Sequence, residues 1–163
     1  MRLRPATLDD AEAIRQIYNV EVLTSVATFD LVPRTLEDQR AWQSARSGAH
    51  TVMVADDEGE VVGFGALSRF RDRPAYATTV EDSVYVHRDH HGRGVGKLIV
   101  SELVTTAVNH GFHACMARIV GGHDASIALH KSCGFEIVGT EREVGRKLGR
   151  WLDVVVMERM LSE

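Results

Sequence analysis

Apolar residues recur along this chain in two periods, and the two meet near its middle. Val80-Glu81-Asp82-Ser83-Val84-Tyr85-Val86 is β-branched and aromatic and predicts a strand. From about Gly94 to His110, Val95, Leu98, Ile99, Leu103, Val104 and Ala107 fall at helical spacing. The glycine-rich turn His91-Gly92-Arg93-Gly94-Val95-Gly96-Lys97 joins the two. Upstream, Arg2-Leu3-Arg4 reads as a short strand stopped by Pro5, and Thr7 with Asp10 as a capping-box variant. The helix it opens carries Ile14, Ile17, Tyr18 and Val22 on one face. Thr35 caps a second helix bearing Leu36, Gln39, Trp42 and Arg46 and ending at Gly48. Val52–Ala55 and Val61–Ser68 pair across the turn Asp56-Asp57-Glu58-Gly59, with Gly63 and Gly65 permitting a bulge or a close approach.

Downstream, Ala114–Val120 is a further strand. Asp124 or its neighbour caps a helix bearing Ile127, Ala128 and Leu129, which Gly134 closes. Phe135–Val138, extending toward Val144, and Leu152–Met160 are the last strands. The order β-α-α-β-β-β-α-β-α-β-β predicts a mixed α/β fold. Its sheet is mostly antiparallel, flanked by helices, with one β-α-β crossover around the glycine turn.

Composition narrows the class. The chain has 163 residues, which suits a single domain over 1–163 with a sizeable core. Its formal charge of −4 argues against a nucleic-acid partner. No apolar run reaches membrane-spanning length and the N-terminus has no signal-peptide core, so a cytoplasmic protein is expected. Cys115 and Cys133 lack metal-ligand or CxxC spacing and read as reduced, buried thiols. His87, His90 and His91 have no fixed helical spacing, so no metal is expected there.

A glycine turn entering a helix is a cradle for phosphate oxygens, since glycines admit a ligand to the backbone and the first helical N–H groups are free. It is not a Walker A loop, because His91 stands five residues before Gly96 and Leu98 follows Lys97; Ile99 stands where a dinucleotide fingerprint needs its third glycine. His91–Gly96 instead resembles the acyl-CoA loop of the GNAT N-acetyltransferase superfamily, Gln/Arg-x-x-Gly-x-Gly/Ala, with His91 at the Gln/Arg position. Gly122–His130 leading to Gly134-Phe135 resembles the second acetyl-CoA element of that superfamily. Gly145-Arg146-Lys147-Leu148-Gly149-Arg150-Trp151-Leu152-Asp153 is similar to the signature of its phosphinothricin and methionine sulfoximine acetyltransferase group. Ile17-Tyr18-Asn19, Thr28-Phe29, Ala75-Tyr76 and Thr79–Val86 match the same group, so the resemblance covers nearly the whole chain in order. Phe70 replaces the group's usual Trp, and His123 its usual Asn.

That resemblance implies the GNAT fold and an acetyl-CoA-dependent N-acetyltransferase. Amides from Gly92 to Lys97 (Gly92, Arg93, Gly94, Val95, Gly96, Lys97), with His91, hold the pyrophosphate, and the backbone of Val84, Tyr85 and Val86 holds the pantetheine arm. Ser126 and His123 touch the cosubstrate. An ammonium has no lone pair, so a base is needed; the resemblance assigns it to Glu81, against the reading of a solvated strand carboxylate beside Asp82. Strand alternation sends Glu81 and Asp82 to opposite faces, so at most one meets the pocket. The Val86 N–H is expected to polarise the thioester carbonyl. His130 either protonates the leaving thiolate or packs beside Leu129. Arg73, Tyr76 and Phe29 are expected at an amino-acid-like substrate, Arg73 as a bidentate partner for carboxylate or phosphinate or else as a solvated charge. Lys147 and Trp151 border the pocket mouth, or pack the C-terminal hairpin and the face of a homodimer. No Cys or Ser stands in a nucleophile constellation, so direct attack in a ternary complex is expected. The rival readings are another amine acceptor and a non-catalytic acyl-CoA sensor.

Overall fold

Arg4 ties the start of the chain together. Its guanidinium donates to both oxygens of Asp10 at 2.8 and 2.9 Å and to Asp56 at 3.0 Å. Asp10 in turn accepts from the Thr7 N–H at 2.8 Å, closing the capping box, and its pKa is lowered, chiefly by the Arg4 hydrogen bonds. The computed structural model describes residues 1–46 and 48–162. The chain runs β1 (Arg2–Pro5), α1 (Ala11–Thr24), α2 (Leu36–Ser44), β2 (Val52–Asp57), β3 (Glu60–Arg69), β4 (Thr79–Val86), α3 (Val95–Asn109), β5 (Ala114–Val120), α4 (Asp124–Ser132), β6 (Glu136–Lys147) and β7 (Arg150–Met160). Seven strands form one sheet in the order β1-β2-β3-β4-β5-β7-β6. Only β4 and β5 pair in parallel; the other neighbours are antiparallel. The predicted element order is the observed one.

The two faces of the sheet carry separate cores. Ile14, Ile17, Tyr18 and Val22 of α1 pack with Val52, Val54 and Phe64, while α3 sends Val95, Ile99, Val100, Leu103, Val104 and Ala107 to the other face. Leu98 departs from its predicted place in the core: it is 48% exposed, about 100° of helix away from Ile99. β4 alternates between the layers, Val80, Val84 and Val86 facing α3 and Tyr85 facing α1. Near the C-terminus the strands are longer than predicted and meet at a two-residue turn. Leu148 and Gly149 both have positive φ (51° and 73°), the geometry of a tight hairpin, so Lys147 pairs with Arg150. α4 is capped by His123, the neighbour of Asp124, without a side-chain bond.

The glycines of β3 explain how closely α3 lies on the sheet. A Cβ on Gly65 would fall 2.5 Å from Ile99 Cγ2, and 2.9 Å from both Leu103 Cδ1 and the Ser83 carbonyl oxygen. Gly65→Ala is therefore expected to destabilise the fold by about 1–3 kcal/mol through overpacking. Gly139→Ala, where a Cβ meets nothing within 4 Å, should stay within about 0.5 kcal/mol of the parent. Urea unfolding of the two variants compares them directly; equal midpoints would contradict the packing account.

Candidate active site

β4 and β5 pair at three positions only, Thr79 with Ala114, Val80 with Cys115 and Glu81 with Met116. Beyond Glu81 they part, while β4 stays on β3 as far as Val86 and β5 stays on β7 as far as Val120. The His87 N–H donates to the Val62 carbonyl at 2.9 Å. Antiparallel bonding alternates, so the peptide groups of Tyr85 and Ser83 also turn toward β3, and those of Val84 and Val86 turn into the gap. That gap is a cavity of about 660 Å³. Ala117 and Ile119, on the α3 face of β5, line it together with Arg118, on the α1 face, so the opening passes through the sheet. Tyr85 also borders it, but its ring stacks on Phe64 at 5.4 Å and stands edge-on to Tyr18 at 5.1 Å.

The glycine turn forms one end of this cavity. Gly94 caps α3 at φ 78°, a left-handed conformation natural to glycine, and no side chain caps the helix. The first amides of α3 are thus left without an intrahelical partner at a cavity bordered by Gly92, Gly94, Gly96 and Lys97. Val95 is buried in the core, so only its backbone is available there. Gly96 also answers to packing: a Cβ would lie 2.5 Å from Leu129 Cδ1. His91 Nε2–H donates to the Val86 carbonyl at 2.9 Å and so ties the turn back to the end of β4. Arg93 reaches away, toward Asp57 at 3.4 Å.

The two adjacent carboxylates divide as alternation requires. Glu81 stands on the α1 face at the vertex of the split, across from Ser68 on one side and Met116 on the other. Burial raises its pKa; Arg118 pulls it down, Asp82 pushes it up and Arg71 pulls it down, and the net shift is upward. Of the two carboxylates it is Asp82, on the α3 face and buried, that lines the cavity wall; Glu81 is not among the lining residues. His130 Nε2 lies 2.8 Å from Asp82 Oδ2, and His130 Nδ1 lies 2.8 Å from the Ser126 carbonyl. Burial alone would lower the pKa of His130, but Asp82 and the Ser126 carbonyl outweigh it and the net shift is upward. His130 is thus hydrogen-bonded at both ring nitrogens. His123 borders the same cavity, and burial lowers its pKa.

Arg73 and Tyr76 sit apart from that cavity, in a neighbouring depression with Arg69, Phe70, Arg71 and Asp72. There Tyr76 stands edge-on to Phe70 at 5.4 Å, and the Arg71 guanidinium lies 4.6 Å above the Phe70 ring. Phe29 is held from the C-terminal hairpin: a Cβ on Gly145 would come 2.5 Å from its ring. Lys147 is buried, with its ammonium donating to the carbonyls of Thr28 at 2.8 Å and Glu21 at 3.4 Å. It anchors the loop before Phe29 instead of bordering a pocket mouth. Trp151 is exposed, with the Arg146 guanidinium 4.6 Å from its ring.

Two residues at the site were not singled out from sequence. Asp82 appeared there only as the neighbour of Glu81, and its partner His130 lies 48 residues away. Arg118 had no signal, because only the register of β5 against β4 puts it beside Glu81; it also approaches Glu141 of β6, an ion pair without hydrogen-bond alignment. Among the described residues no group of three or more His, Cys, Asp or Glu side chains stands together as a metal site, and no helix is long and apolar enough to cross a membrane.

Comparison with known proteins gives a consistent picture. The family model "Acetyltransferase (GNAT) family" matches residues 12–135. The chain is 38% identical to a phosphinothricin N-acetyltransferase of Streptomyces coelicolor, covering 99% of this chain and 96% of that one. It is 37% identical to an L-methionine sulfoximine/L-methionine sulfone acetyltransferase of Pseudomonas aeruginosa, over 98% of this chain and 94% of that one. Among solved structures, a GNAT superfamily phosphinothricin acetyltransferase from Sinorhizobium meliloti in complex with acetyl-CoA superposes with a TM-score of 0.95 at 40% identity, covering 99% of this chain and 88% of that one.

The charges around Glu81 yield a direct test. Removing the Arg118 cation leaves burial and Asp82 less opposed, so Arg118→Ala should raise the pKa of the Glu81 carboxyl further. Carboxyl-carbon NMR titration should show the Glu81 midpoint at higher pH in the variant than in the parent; an unmoved midpoint would remove Arg118 from the site.

Proposed function

Because the chain belongs to the acetyltransferase (GNAT) family, we propose that it transfers an acetyl group from acetyl-CoA to the α-amino group of a small amino-acid-like substrate. The substrate is of the phosphinothricin or methionine sulfoximine type, and residues 1–163 form one N-acetyltransferase domain. As a member of that family the protein is an acetyl-CoA-dependent N-acetyltransferase; the substrate and the roles below are our reading. One observation supports it above the others. An unpaired β4 edge and an uncapped, glycine-lined helix start border one cavity, and Glu81 stands at the last β4–β5 pair before the strands part.

Acetyl-CoA supplies the acyl group as a thioester. The free peptide groups of Val84 and the free Val86 N–H receive the pantetheine arm as an added strand would be received, and the amides around Gly94–Lys97 receive its phosphates. The Val86 N–H points into the gap and donates to the carbonyl oxygen under attack. Glu81 takes the proton that the substrate ammonium must lose. Its raised pKa makes it a stronger base than an exposed carboxylate, and Arg118 and Arg71 limit the rise. Attack is direct, within a ternary complex: Cys115 is fully buried and burial pushes its thiol far up, so it is no nucleophile. Arg73 and Tyr76 in their depression, together with Phe29, receive the carboxylate and side chain of the substrate. The exposed apolar side chains Ile137, Val138, Val144, Leu148 and Trp151 on β6, β7 and their turn are read as the face of a homodimer. Light scattering at micromolar concentration tests that: a monomer would refute it. A cytoplasmic setting suits the two free thiols.

Coenzyme A release with a panel of amines tests the activity and substrate class. With the best substrate, Glu81→Gln should lower kcat near neutral pH by roughly 10²–10⁴-fold, the usual worth of a positioned base. Its affinity for acetyl-CoA should stay unchanged, and part of the rate should return at high pH, where more amine arrives unprotonated. Wild-type turnover across the pH range would reject Glu81 as the base. Arg73→Ala should raise KM for carboxylate-bearing substrates and leave neutral amines alone; equal effects on both would reject Arg73 as a reader of charge.

A further inference from the structure

We propose that Tyr18 and Asn19 are positioning residues for the acceptor: neighbours on α1, they clamp the two ends of the segment 28–34 and so fix where the Phe29 ring stands. The proposal rests on the reading of Phe29 as part of the acceptor site, and deepens it by naming what holds that ring.

The segment is not held by burial. Between Ser25 and Thr35 only Thr28 is buried, while Phe29, Leu31 and Val32 are exposed. A loop with so little buried apolar surface opens readily unless hydrogen bonds tie it down.

Those bonds stand on either side of Phe29. The Asp30 carboxylate only accepts, so the Tyr18 hydroxyl donates to it. That uses the one Tyr18 hydroxyl hydrogen. Across the 2.9 Å contact between Tyr18 Oη and Thr28 Oγ1, the threonine is therefore the donor. Thr28 Oγ1 in turn accepts from the Asp30 N–H at 3.2 Å. The three groups close a ring of bonds, with Phe29 between its two loop members. Tyr18 is itself buried, edge-on to Phe64 at 6.4 Å and to Tyr85 at 5.1 Å, so the ring is anchored to the core. From the hairpin, Lys147 donates to the Thr28 carbonyl, and the missing Cβ of Gly145 leaves the Phe29 ring its space.

The next residue of α1 clamps the other end. Asn19 is buried, and its one amide satisfies both backbone groups of Arg34: Oδ1 accepts from the Arg34 N–H and Nδ2 donates to the Arg34 carbonyl, each at 2.9 Å. The Arg34 side chain returns over α1, its guanidinium 4.0 Å above the Tyr18 ring and 4.7 Å from the Trp42 ring, and donates to Gln39 Oε1 at 3.0 Å. Successive residues of a helix point about 100° apart, which is how one turn of α1 reaches two places on the segment. Of the run Ile17-Tyr18-Asn19, Ile17 serves the core alone, while the polar atoms of the next two are directed at the segment that carries Phe29.

The test is kinetic and uses the full-length protein with the amine it acetylates best. Tyr18→Phe removes only the hydroxyl, and should raise KM for the acceptor by roughly 3–10-fold, the worth of one buried hydrogen bond. KM for acetyl-CoA and kcat at saturation should hold. Asn19→Ala should raise the same acceptor KM from the other end of the segment. Phe29→Ala should raise it too, and adding Tyr18→Phe to Phe29→Ala should cost nothing more, because Tyr18 acts through that ring. An unchanged acceptor KM in Tyr18→Phe or Asn19→Ala, an equal rise in KM for acetyl-CoA, or additive effects in the double variant overturns the proposal. If either clamp variant fails to fold, Asp30→Ala cuts the ring of bonds from its exposed side and is judged by the same criteria. A parent that acetylates none of the amines, or a Phe29→Ala variant with the parent's acceptor KM, rejects the reading of the acceptor site and the proposal with it.

Discussion

The site depends on two neighbouring strands ceasing to pair. β4 and β5 are each bonded along their outer edges, seven register positions with β3 and seven with β7, yet share only three with each other. Strand twist carries the free ends apart. Unsatisfied peptide groups inside a protein are costly, so a gap of this kind persists only where something else can meet them. Here the same parting frees the Val84 peptide groups and the Val86 N–H, opens the cavity through the sheet and leaves Glu81 at the last pair before the strands separate. The α3 start, uncapped and glycine-lined, lies at the end of that gap because Val86 is followed within a few residues by the turn that His91 ties back.

Much of this was legible in the sequence because it is local. The period change between Val80–Val86 and Val95–Ala107, the glycines between them, and the capping pairs at Thr7 and Thr35 each rest on residues a few positions apart. Alternation alone placed Glu81 and Asp82 on opposite faces. What stayed hidden depends on long-range register. Arg118 meets Glu81 only because Met116 pairs with it, and Asp82 meets His130 only because α4 folds back over β4. Lys147 gave no sign that its ammonium would be buried against the Thr28 and Glu21 carbonyls, more than a hundred residues upstream. Leu98 looked like core because periodicity cannot tell the centre of an apolar stripe from its margin.

Helix packing joins the glycine turn to His130. Gly96 lets Leu129 of α4 settle against the first turn of α3, and His130 is the next residue along α4. A shift of the glycine turn would thus be passed to the imidazole through rigid packed contact, without any loop between them.

The C-terminal hairpin has a different kind of consequence. Gly145 and Lys147 secure the loop carrying Thr28 and Phe29 from the far end of the chain. On the proposed substrate role of Phe29, mutational drift in that hairpin would reshape what the loop admits. A hairpin more than a hundred residues away in sequence would then be one place where a lineage exchanges one amine for another.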